Sequence, residues 1–131
     1  DPRLTKSLIR DANRQSQRIA GMCSSSMFDD AEPVLQKLEA YVFNRANEIS
    51  IFRGSEKTVR QLETIGSDTR NHCEQEFKRE LAQIEAARRA KLEAIRRQEA
   101  QRRAAAAAAR ARAAEAERLK RRASFDSLTA G

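Results

Sequence analysis

The chain has no tryptophan, one tyrosine and five phenylalanines, so aromatics make up only 5% of its 131 residues. A domain of this size ordinarily buries far more bulky apolar side chain. The 40% hydrophobic fraction is raised by alanine, which favours helix but buries little surface. Much of the chain is therefore not expected to fold around a core of its own. No apolar run approaches the roughly 18 residues of a membrane-spanning helix. The glycines stand singly at 21, 54, 66 and 131, which excludes a glycine-rich loop that cradles phosphate. The one histidine, His72, adjoins Cys73, but Cys23 is the only other thiol. That falls short of the ligand set of a structural zinc site. The expectation is no metal, no cofactor and no catalysis. Two cysteines in a charge-rich helical chain do not make a disulfide framework. Both read as reduced, buried, small hydrophobes in a reducing compartment. The start, Asp1-Pro2-Arg3, carries neither an initiator Met nor a signal peptide, and a segment of a longer protein is expected.

What the chain does have is charge, unevenly placed. Residues 1–77 carry 11 Lys+Arg and 12 Asp+Glu, whereas residues 78–131 carry 15 and 7. The first stretch is thus nearly neutral and the second has a net charge of +8 within the overall +7. From Phe77 to Arg122 there is no Gly and no Pro, and residues 104–109 are six consecutive alanines.

Hydrophobic spacing organises the rest. Leu4, Leu8, Ala12, Gln15, Ile19 and Met22 recur at helical intervals and predict a short amphipathic helix. It would stop near Gly21, with Ser24–Ser26 as connector. A second helix follows, with Asp29 and Asp30 as caps and Pro33 in its first turn. Ala31, Leu35, Leu38, Val42, Ile49 and Phe52 line one face, widened by Val34 and Tyr41. Gly54 then Ser55 reads as a helix stop followed by a new N-cap. Val59, Leu62, Ile65, Thr69, Cys73, Phe77, Leu81 and Ile84 continue a stripe on a third helix. Gly66 offers a second break, but the stripe keeps its phase across it. Leu81 and Ile84 recur 11 residues later as Leu92 and Ile95. That spacing favours a straight path over a left-handed supercoil.

The fold class is all-α: a short N-terminal helix, a helical hairpin and a long, extended, coiled-coil-like basic helix. The expected segments are 1–26, 27–77, 78–122 and a non-helical tail, 123–131. Six Glu residues precede a base by four: Glu56/Arg60, Glu74/Lys78, Glu85/Arg89, Glu93/Arg97, Glu99/Arg103 and Glu117/Arg121. Each such pair adds about 0.2–0.5 kcal/mol to an isolated helix.

Two surfaces are candidates for function. Leu35, Leu38, Val42, Ile49, Phe52, Leu62, Phe77, Leu81, Ile84, Leu92 and Ile95 would pack on helices of other chains. Arg102, Arg103, Arg110, Arg112, Arg118, Lys120, Arg121 and Arg122 would meet an acidic partner such as tubulin or another acidic surface. These bases surround the helix, and no aromatics interleave with them, which makes nucleic acid the second reading. A membrane-surface helix needs bulky apolar residues, and residues 96–118 have none. In kind, a hairpin joined to a charged helix resembles subunits of cytoskeletal, ciliary or kinetochore assemblies. The reading is a non-catalytic scaffold segment in the cytoplasm, on the cytoskeleton or in a cilium. A nuclear nucleic-acid-associated helix and a solitary charged spacer are the alternatives. Arg121-Arg122-Ala123-Ser124-Phe125 resembles the Arg-Arg-x-Ser-hydrophobic motif of cyclic-nucleotide-dependent kinases, making Ser124 a candidate phosphorylation site.

Overall fold

The computed structural model describes residues 2–130, with side-chain exposure from residue 4 onward. Asp1 and Gly131, the ends of the expected first and last segments, lie outside the described residues. The described residues form three helices and no strand: α1 (Pro2–Ser24), α2 (Phe28–Ile49) and α3 (Glu56–Ala130). The all-α fold expected from periodicity is what the chain adopts. Residue contacts divide it into two units, Asp1–Ile84 and Glu85–Gly131.

The first unit has its own core. Ala12, Ile19 and Cys23 of α1 are buried with Ala31, Leu35, Leu38 and Val42 of α2 and Leu62 and Cys73 of α3. Leu8, Ile9, Met22, Phe28, Val34, Tyr41, Ile49 and Ile65 pack around them, partly covered. The helices therefore bury their stripes against one another within the chain. This departs from the expectation that partner chains supply the cover. Burying one such side chain stabilises by about 1.5–3 kcal/mol, and three short apolar stripes satisfy each other without help. Small residues make this feasible: Ala12, Ala31, Gly66 and Thr69 sit at buried positions where the helices approach.

Cys23 and Cys73 form a disulfide, with Cα atoms 5.2 Å apart. The reading of two reduced cysteines is thereby corrected. Both are buried, as expected, but on stripes that face each other. Cys23 lies one turn beyond Ile19 and Cys73 one turn beyond Thr69, and that proximity is set by tertiary packing. Nearby polar groups close a small seam between α1 and α3. Thr69 donates its hydroxyl to the Ile65 carbonyl at 2.6 Å, so Ser16, 2.5 Å away, donates to Thr69. Ser24 lies 3.1 Å from Nε2 of His72.

The turns refine the expected boundaries. α1 runs through Gly21 to Ser24, because one glycine costs a helix only about 1 kcal/mol and Met22 and Cys23 are held by packing. Its end is a Schellman turn: Met27 N–H donates to the Met22 carbonyl at 2.9 Å and Ser26 N–H to the Cys23 carbonyl at 3.1 Å. Ser26 takes the left-handed position, φ 61°. α2 then starts at Phe28, whose ring meets Phe77 edge-on at 5.2 Å. Asp29 and Asp30 lie in the first turn and cap nothing; Met27 holds the cap position without a side-chain bond. The carboxylates still favour the positive end of the helix dipole. Pro33 sits inside the helix, not in its first turn, because the helix begins earlier than its polar signals suggest. α2 ends at Ile49, short of Phe52, which lies exposed in the turn. Gly54 adopts φ 83°, the left-handed conformation expected of a stop residue. α3 continues without a break through Gly66 and on to Ala130, so residues 123–130 are helical, not a coil tail.

Candidate functional site

The second unit, residues 85–131, is a stretch of helix whose described side chains are all exposed. It carries 13 Lys+Arg and 6 Asp+Glu, so its net charge equals that of the whole chain and the first unit is neutral. Alanine and arginine favour helix strongly, which accounts for a helix here with no tertiary cover.

Local ion pairs brace it. Glu85–Arg89 closes at 2.8 Å, Glu93–Arg97 at 3.9 Å and Glu117–Arg121 at 3.6 Å. Glu115 takes Arg118 through two guanidinium nitrogens, a pair the four-residue rule does not find. Of the eight bases expected to face an acidic partner, Arg118 and Arg121 are thus engaged. Arg102, Arg103, Arg110, Arg112, Lys120 and Arg122 have no ion-pair partner among the described residues. Glu99 does not close on Arg103, so the bases flanking the alanine run stay free.

The residues expected to pack on partners separate into two groups. Leu35, Leu38, Val42 and Leu62 are inside the bundle, and Ile49 is partly covered. Phe52, Phe77, Leu81, Ile84, Leu92 and Ile95 remain exposed, the last five at 46–59%. The structure therefore gives the first group an internal role and leaves the second group uncovered.

A feature that sequence spacing did not single out is a pair of adjoining grooves on the bundle. One, about 600 Å³, is lined by Lys6, Arg10 and Arg14 with Asn13, Gln17 and Gln61. The other, about 370 Å³, adds Lys57 and Arg60 over Ile9 and Ile65. No carboxylate lines either groove. The i, i+4, i+8 spacing of Lys6, Arg10 and Arg14 was visible in the sequence; its convergence with α3 bases was not.

The electrostatic centre of the bundle is Arg70. Its guanidinium binds Glu32 at 2.7 Å and Glu39 at 2.5 Å, tying α3 to α2. The hydrogen bonds from Arg70 hold the Glu32 carboxyl below its usual range. The two carboxylates raise Arg70 still further above neutrality, the Glu39 bond most. This network is structural: its charges are spent on each other. A cleft of about 290 Å³ beside the disulfide is lined by Phe28, Leu35 and Phe77, with this same Arg70 and the carboxylates Asp29, Glu32 and Glu74 at its edge. No group of three or more metal-ligating side chains occurs among the described residues. None of the described helices is long and apolar enough to cross a membrane.

Compared with known proteins, the chain matches no family model, no curated protein and no solved structure.

Proposed function

We propose that this chain is a non-catalytic scaffold segment that presents a basic helix to an acidic partner within a larger helical assembly of cytoskeletal, ciliary or kinetochore kind. The observation that carries the reading is the exposed stretch 85–130. It holds six bases within Arg102–Arg122 that have no ion-pair partner among the described residues, on a surface whose described side chains are all exposed. A surface of this type attracts anionic surfaces over about 8–10 Å at physiological salt. It suits an acidic protein lattice such as tubulin better than nucleic acid, because no aromatic side chain interleaves with the bases between Arg102 and Arg122 to stack on nucleobases. The uncovered side chains Phe77, Leu81, Ile84, Leu92 and Ile95 are where partner helices would pack.

Co-sedimentation of the full chain with microtubules, and separately with duplex DNA, over a salt series tests this. Two variants divide the basic surfaces. One replaces Arg102, Arg103, Arg110 and Arg112 with Gln; the other replaces Lys6, Arg10 and Arg14. Loss of microtubule binding in the first variant alone supports the reading. Equal loss in both, or loss only in the second, refutes the assignment to the basic helix. Binding to DNA alone would move the conclusion to a nucleic-acid-associated helix. A cytoplasmic, cytoskeletal or ciliary setting fits this surface, with the nucleus second. Disulfides are rare in these compartments, so thiol trapping in native extract is the measurement that decides the setting of Cys23 and Cys73.

A further inference from the structure

We infer that Ser124 is a phosphoryl acceptor for a basophilic serine kinase, and that the end of α3 opens to present it. Arg121 and Arg122 stand three and two residues before the serine, and Phe125 follows it. Two guanidinium groups at that distance suit an acidic substrate cleft, and a bulky apolar residue next to the acceptor suits an adjoining apolar pocket. Ser124 and its neighbours are exposed, with Phe125 at 65%. No tertiary contact shields the acceptor within its unit.

The structure adds a condition that the motif alone does not contain. Ser124 lies in helix, not in a coil tail. In a helix, Arg121 shares a face with Ser124 three residues on, but Arg122, two residues before the serine, points to nearly the opposite side, so the two arginines and the serine cannot all be read together as they are in an extended segment. The acceptor must first be released. Its position makes release easy. The segment Ser124–Thr129 has weaker helix formers than the Ala/Arg run before it, and no basic residue occupies the last turn. Thr129 turns its hydroxyl onto the Phe125 and Asp126 carbonyls, a local bond that competes with the helical ladder. Helix ends of this kind open at the low end of the stability range.

The reaction is ordinary phosphoryl transfer from ATP. The Ser124 oxygen bonds to the γ-phosphorus, and the bond from that phosphorus to the bridging oxygen breaks. ADP leaves, and the hydroxyl proton passes to the kinase's carboxylate base. Once formed, the phosphate has Lys120, unpaired among the described residues, and Arg121 within one turn.

The test uses the full chain with the catalytic subunit of cyclic-AMP-dependent kinase and magnesium ATP, read by intact mass and fragment mapping. One phosphate on Ser124 is expected. The S124A variant should take none. Replacing Arg121 and Arg122 with Ala should slow transfer by about tenfold or more per guanidinium, the weight of a charge-assisted bond. Circular dichroism of both variants checks that the helix is intact. No incorporation into the parent chain, or the same incorporation into S124A, would overturn the assignment. Because no acidic polymer is present, the outcome is independent of the partner reading.

Discussion

A Cβ placed on Gly66 would stand 3.7 Å from both Cγ atoms of Val42, at ordinary contact distance. Gly66 is thus a close-approach point between α3 and α2 that has room for one methyl group and no more. Gly66→Ala should stabilise the bundle by up to about 1 kcal/mol through helix propensity. Gly66→Leu should destabilise it by about 1–3 kcal/mol through overpacking against Val42. Urea unfolding of the two variants checks both signs.

The two left-handed turn residues should respond in opposite directions. Ser26 holds a position that glycine occupies without strain, so Ser26→Gly should stabilise by about 1 kcal/mol. Gly54→Ala forces a side chain into the same region and should cost about 1–2 kcal/mol. Thermal melting of the pair against the parent distinguishes a backbone effect from a packing effect, since neither added nor lost atoms touch the core.

Removing the disulfide should be the largest single loss. The bond links residues separated by 50 in sequence, and chain-entropy reasoning puts such a cross-link at about 4 kcal/mol, within the usual 2–5. A Cys23→Ala, Cys73→Ala chain should unfold at lower denaturant, and adding reductant to the parent should reproduce the shift. A reductant-insensitive melt would contradict the bond.

The Arg70 network predicts an acid-side effect. The Glu32 carboxyl is held below its ordinary value by the Arg70 hydrogen bonds. Its contribution is therefore present above the unfolded carboxyl's value and is lost as pH falls through the lowered one. The stability difference between the parent and Glu32→Gln should be level near neutrality and shrink in acid. Arg70→Met, which leaves two carboxylates facing each other, should cost about 1 kcal/mol near neutrality.

A peptide of residues 80–122 should remain helical at low temperature. It should melt gradually, because its order is local and not tied to a core. Circular dichroism that reads coil at low temperature would make the helix dependent on a partner.

Much of this architecture was legible in the sequence, and the failures have a common cause. Stripes at helical spacing located all three helices, and Gly54 marked the stop between α2 and α3. The charge division anticipated the exposed basic stretch. What could not be read was which stripe meets which. Spacing along one helix shows a face but not its neighbour, so it does not reveal that the bundle itself covers Leu35, Leu38, Val42 and Leu62 while Phe77, Leu81, Ile84, Leu92 and Ile95 stay exposed. The Cys23–Cys73 bond and the Arg70 bridge to Glu32 and Glu39 are missed for the same reason: each depends on distances across helices. Ser, Asp and Thr in the last turns of α3 favour coil by composition, but an uninterrupted helix upstream carries through such residues because propagation is far easier than nucleation.

The Cys23–Cys73 bond also determines how force travels. It closes residues 23–73 into a covalent ring that contains all of α2, the turn at 50–55 and the first part of α3. A pull applied between α1 and the basic end of α3 passes from Cys23 directly to Cys73 and bypasses the ring. While the bond is intact, tension cannot extend α2 or the turn, and only the segments outside 23–73 can lengthen. Reduction would convert the ring into slack, so a single-molecule extension trace should gain the length of the ring only after the bond is cut.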